Sequence, residues 1–137
     1  LVKPYITLVR EGVKIGIFGL SPKMEGLVQA DKCAGIVYND PIKAAQEMAG
    51  LLREKENCDV VICMSHLGIR GTSPDDASDE SLVSKTHGID VILGGHSHTF
   101  MKKPAVYLNA DGKSVPVLHT GKSGIYVGEM VLTLTEK

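Results

Sequence analysis

The sequence predicts an α/β fold built on a mixed sheet, with helical crossovers and an antiparallel edge. Three observations carry that expectation. Asp59 to Met64 ("DVVICM") and Ile89 to Leu93 ("IDVIL") are short continuous apolar runs, rich in β-branched residues, as expected of strands buried on both faces. A segment of helical periodicity precedes each run, so the two strands pair in parallel through right-handed crossovers. Both ends of the chain alternate apolar and polar residues around turn signals, which adds antiparallel strands.

In chain order, Tyr5 to Val9 and Val13 to Phe18 alternate on either side of Glu11-Gly12, which reads as a hairpin. Ser21 to Val37 has no clean period and is broken by Pro22, Gly26 and Gly35, so an irregular loop is expected. The next segment is a helix. Asn39 or Asp40 caps it, Pro41 suits its first position, and Ile42, Ala45, Met48, Ala49 and Leu52 form one apolar stripe. Leu67 to Ala77 is polar. Ser78 to His87 is helical again, with Ser78 as cap, Asp79 and Glu80 in the first turn and Gly88 as stop. "AVYLNADGKSVPVLHT" reads as a hairpin turning at Asp111-Gly112, and "IYVGEMVLTLTEK" as a final alternating strand.

The composition excludes several classes. Of 137 residues, 43% are hydrophobic and 23% charged, with a net charge of −1. That suits one soluble domain and offers no electrostatic reason to bind a nucleic-acid polymer or an anionic membrane. No apolar run approaches the roughly 20 residues of a membrane span. Cys33, Cys58 and Cys63 are odd in number and lack C-x-x-C spacing, and Cys63 reads as a small buried hydrophobe.

The chemistry concentrates where the two parallel strands end. His66 follows the first, and Gly94-Gly95-His96-Ser97-His98 follows the second. Adjacent parallel strands open both loops on one sheet edge, where open α/β sheets bind ligands. Gly94 and Gly95 let the backbone turn tightly there. In an extended H-x-H segment the imidazoles of His96 and His98 point to opposite sides. That suits two neighbouring metal ions better than one, unless the loop turns. A lone His66 would read as a hydrogen-bonded loop residue; the paired loops tilt the reading to metal. His87, near a helix C-terminus, reads as structural. His119 either lines the same cleft or is structural. "GTSPDDASDE" reads as a solvated loop and helix cap rather than a cation site. "TGKSG" lacks the spacing and following helix of a phosphate-binding loop.

Together "CMSHLG", "IDVILGGHSHT" and "VPVLHTGKSGIYVGEMVLTL" resemble the calcineurin-like metallophosphoesterases, in their 5′-nucleotidase branch. The opening "KPYITLVREGVKIGIFGL" also resembles a hairpin of that family, so the resemblance covers nearly the whole chain. It implies part of an α/β sandwich and two divalent ions, Zn, Mn or similar. By resemblance His66 and His96 ligate one ion and His98 the other. By the same resemblance Gly95 and His119 contact the substrate or support the ligands, and His119 stands where relatives often carry Gln. The implied substrates are nucleotides or related small phosphate esters, monoesters or cyclic diesters. A thiosulfate-type ester is the alternative within the family. Relatives suggest export, to the periplasm or beyond.

The same family opens with Asp-x-His, Gly-Asp-x-x-Asp and Gly-Asn-His motifs, none of which occurs here. The expectation is that residues 1–137 are the second half of a catalytic domain, without its first half or the nucleotide-specificity domain. The half alone is expected to be inactive, to bind metal weakly, and to self-associate through an exposed sheet edge. Two rivals make different claims: a noncatalytic metal- or ligand-binding half that complements a separate partner, and a structural domain with incidental histidines.

Overall fold

The computed structural model describes residues 2–73 and 76–134. Strands β1 (Tyr5–Arg10) and β2 (Val13–Leu20) form the expected hairpin, with Glu11 and Gly12 both at positive φ in its two-residue turn. Helix α1 (Pro41–Glu54) starts where the sequence places it, because the Asp40 carboxylate accepts from the N–H groups of Ile42 and Lys43 at 2.8 and 3.1 Å. Then follow β3 (Val60–Ser65), α2 (Asp79–Lys85), β4 (Val91–Gly94), β5 (Ala105–Leu108) and β6 (Ser114–His119). They build one six-stranded sheet in the order β1-β2-β3-β4-β6-β5. The inner strands β2, β3, β4 and β6 are parallel, and β1 and β5 close the two sides antiparallel. This is the expected mixed α/β sheet.

The core lies between one face of the sheet and the two helices. Ala45, Ala49 and Leu52 of α1 and Leu82 and Val83 of α2 pack on Phe18, Val61, Cys63, Ile92, Val115 and Val117. Arg53 ties the end of α1 to the start of the parallel strands. Its guanidinium donates to the carbonyls of Gly88, Cys58 and Asp59 and pairs with Asp90.

Three expectations change. The parallel strands are buried on both faces only toward their starts. On the face away from the helices Val60 and Val91 are buried, but near the carboxyl edge Met64 is 56% and Leu93 38% exposed. Helix α2 ends at Lys85 rather than His87. Thr86 turns extended while its hydroxyl donates to the Leu82 carbonyl at 2.7 Å, which competes with the next helical bond. The final strand does not form within the described residues. The preceding strand β6 already has β4 and β5 on its two sides, so residues 125–134 cannot add to it. They run past Leu118 and Thr120 instead, with Val127 and Val131 exposed.

Candidate functional site

The parallel register fixes the site. Ser65, Gly94 and His119 pair across β3, β4 and β6 at the carboxyl edge. The residues that follow Ser65 and Gly94 therefore emerge side by side. The His66 N–H donates to the Leu20 carbonyl at 3.0 Å, which fixes the start of its loop to β2. On the next strand, the Ser97 N–H donates to the Gly95 carbonyl at 2.9 Å around His96, whose φ is +73°. This is a three-residue γ-turn, a tight and strained geometry. His98 is also left-handed, with φ +53°. The H-x-H segment is thus folded rather than extended, and the opposed-side argument for His96 and His98 does not apply to it. Strained backbone of this kind, at residues able to ligate metal, is characteristic of functional loops.

The turn brings the rings of His66 and His96 to 5.3 Å between centroids, with an angle of 68° between planes. Two imidazoles on one tetrahedral ion, each N at about 2.0–2.1 Å, have centres about 5 Å apart, so the pair fits half of such a donor set. His98 does not join them: among the described residues, no three His, Cys, Asp or Glu side chains gather in one cluster. Gly95 lies against His66, where an added Cβ would stand 3.0 Å from Nδ1.

Beneath the loops sits a group that the sequence did not reveal. His119 is 1% and Asp79 0% exposed, and His119 Nε2 meets Asp79 Oδ2 at 2.6 Å. Gly94 covers this pair, and a Cβ there would overlap both atoms. His119 thus supports the histidine loop from below, in the interior. Asp79 reads in the sequence only as a first-turn helix residue, and nothing local signals a partner forty positions away. The Cys63 thiol lies nearby; burial pushes its pKa far up, and the Asp79 charge adds to the effect. Ser97, also unremarked in the sequence, links the two loops at the surface by accepting from the Ile69 N–H at 3.3 Å.

Two open clefts flank the histidines. His66 lines one of about 580 Å³ with Met64, Leu93, Gly95 and Tyr126. His96 lines another of about 450 Å³ with Lys23, Tyr38 and Arg70. Both cations there are already engaged, Lys23 with Glu25 and Arg70 with Glu80. Asp76, in the polar loop, spends its carboxylate on the Thr72 hydroxyl and the N–H groups of Thr72 and Ser73, which hold its pKa below the usual range. His87 lies beyond α2 at the surface, its N–H donating to the Gln46 side chain. Asp76 lines the same cleft as His96 with its carboxylate committed to its own loop, and His87 lies outside the site.

Known proteins share this arrangement of sequence and fold. The chain is 29% identical over 136 residues to the trifunctional nucleotide phosphoesterase protein YfkN of Bacillus subtilis (strain 168), matching 99% of this chain and 9% of that protein. It is 27% identical over 150 residues to the 5′-nucleotidase of Rattus norvegicus, matching all of this chain and 24% of that enzyme. The chain therefore spans at most about a quarter of the length of these relatives. The crystal structure of the 5′-nucleotidase precursor from Thermus thermophilus superposes with a TM-score of 0.71 at 27% identity, over 85% of this chain and 24% of that one. The family model for the calcineurin-like phosphoesterases matches residues 4–100, which carry β1 to β4 and all three loop histidines. The chain belongs to the calcineurin-like phosphoesterase family, metal-dependent hydrolases, and its relatives place it in the 5′-nucleotidase branch.

Proposed function

We propose that this chain is the histidine-bearing half of a dinuclear phosphoesterase domain that hydrolyses nucleotides or related small phosphate esters. The observation that carries the reading is the convergence of His66 and His96 at the carboxyl edge of parallel strands. His66 and His96 would hold one divalent ion and His98 the second. Divalent ions held by these imidazoles would supply an activated water and a clamp for the phosphoryl oxygens. The chain's own part is to present imidazoles from a rigid sheet edge and to keep the γ-turn closed.

Two imidazoles cannot neutralise a dication, and no carboxylate joins them among the described residues. The carboxylates are assigned to an acid-bearing segment outside residues 1–137, and the open apolar face around Met64 and Leu93 is a suitable surface for it to cover. Alone, the chain is inactive and holds metal weakly. A base preference and a location outside the cytoplasm rest on resemblance to the relatives. Pairing of two copies through the free edge of β1 is a further expectation, read from the oligomeric state in solution.

The test is hydrolysis of AMP and bis-p-nitrophenyl phosphate with added Mn²⁺ or Zn²⁺. The chain alone should be inactive, and supplying the acid-bearing segment should create activity that His96→Ala abolishes. Turnover by the isolated chain that His96→Ala removes would overturn the claim that it is half a site. A noncatalytic metal-binding half is favoured by the lack of a third donor, and it predicts zinc binding without turnover even after complementation.

A further inference from the structure

We infer that Asp79 and His119 form a positioning pair that sets the spacing between the His66 loop and the His96 loop. The inference rests on the proposed site but is read from a different part of the structure. Asp79 reaches both loops. Its backbone N–H donates to the Gly68 carbonyl at 2.8 Å, holding the segment that follows His66. Its carboxylate holds the His119 ring at 2.6 Å, directly under Gly94, where the His96 loop begins. His119 is in register with Gly94 on the neighbouring strand, and its ring lies so close to Gly94 that no methyl fits between them. Asp79 therefore links the ends of β3, β4 and β6, through its backbone N–H on one side and its carboxylate on the other.

Two features mark the pair as more than ordinary packing. Among the described residues Asp79 Oδ1 and His119 Nδ1 have no hydrogen-bond partner, though both are buried. Groups left in that state cost about 1–3 kcal/mol each, and apolar residues of equal volume would avoid the cost. The second feature is Gly94. The sheet leaves out a side chain there, and the pair fills the vacated volume. The other cross-loop tie, Ile69 N–H to Ser97 Oγ, is long and exposed, so it cannot define the spacing. Residues that orient metal-binding imidazoles without touching metal commonly change affinity 10–100-fold when removed.

The test begins without metal. The His66 and His96 rings should show an NOE between their ring protons in the wild-type chain. His119→Ala should abolish it, and so should the double variant Asp79→Ala/His119→Phe, which removes both polar partners and keeps the ring volume. His119→Gln, which restores a donor, should retain it. Leu52→Ala, which loosens the core far from the loops, should also retain it. With zinc alone as probe, His119→Ala should weaken binding 10–100-fold, and His119→Gln and Leu52→Ala should stay within a few-fold of wild type. An NOE absent from the wild type, or unchanged in a folded His119→Ala or double variant, overturns the inference. Loss of the NOE with no zinc binding by any variant upholds the positioning pair and counts against the proposed metal site instead.

Discussion

Gly94→Ala is the sharpest perturbation of this architecture. Gly94 is not among the positive-φ residues, so alanine meets no backbone penalty and the effect is purely steric. The added methyl would overlap His119 Nε2 and Asp79 Oδ2, both in the interior with no room to retreat. Overpacking costs about 1–3 kcal/mol, and forcing the pair apart leaves buried polar groups worth about 1–3 kcal/mol each. A loss of about 3–5 kcal/mol is expected, a drop of roughly 10–15 °C in melting temperature. Gly112→Ala is the control: its φ is +73° and nothing lies within 4 Å of an added Cβ, so only backbone strain of about 1–2 kcal/mol applies. Urea unfolding of both variants, and of Gly94→Ala in a His119→Ala background, measures the difference. Removing the ring should lower the cost of the methyl by about 1–3 kcal/mol. If Gly94→Ala is no worse than Gly112→Ala, or costs the same with and without His119, the close packing described here is wrong.

Other consequences concern the scaffold. Arg53→Ala removes the bonds to Gly88, Cys58, Asp59 and Asp90 that join α1 to the strand starts, and should cost about 2–3 kcal/mol in chemical denaturation. Leu52→Ala, at a fully buried position, should cost about 2–5 kcal/mol without changing the spacing of the His66 and His96 rings. Ser78→Ala breaks a reciprocal capping box at α2 and should cost about 1 kcal/mol, seen as a small fall in urea midpoint. Burial raises the thiol pKa of Cys63, and burial does the same for Cys58, so each folded thiol gives up its proton at a higher pH than the unfolded one. Unfolded thiols ionise near about pH 8.5, so above that pH the folded chain holds more protons and stability falls as pH rises. Below it these thiols add no slope. Cys63→Ala should flatten the alkaline decline, and an equally steep decline would show that the thiol plays no part.

The sheet was legible because its rules are local or topological. Asp40-Pro41 marks the start of α1, and "DVVICM" and "IDVIL" separated by a helix dictate parallel neighbours. From that alone His66 and His96 belong at one edge, as the structure has them. What was hidden depends on contacts between distant residues. The buried bond between Asp79 and His119 joins a helix start to a strand end, and neither residue's neighbours signal it. The γ-turn at His96 has no periodicity to read. "IYVGEMVLTL" has the alternation of a strand, but alternation supplies no ladder partner, and β6 has none to spare. The apolar run of β3 is buried on both faces at Val60 and Val61 but not at Met64, because hydrophobicity in sequence does not say where the covering side chains stop.

The central claim, that His66 and His96 form a metal-binding pair, is tested most directly by imidazole ¹⁵N NMR of the chain during zinc titration. The account predicts that the ring nitrogens of His66 and His96 shift together at the lowest zinc concentrations, while those of His87 and His119 stay in place. Zinc that moves His87 or His119 first, or that leaves His66 and His96 unmoved, would contradict it.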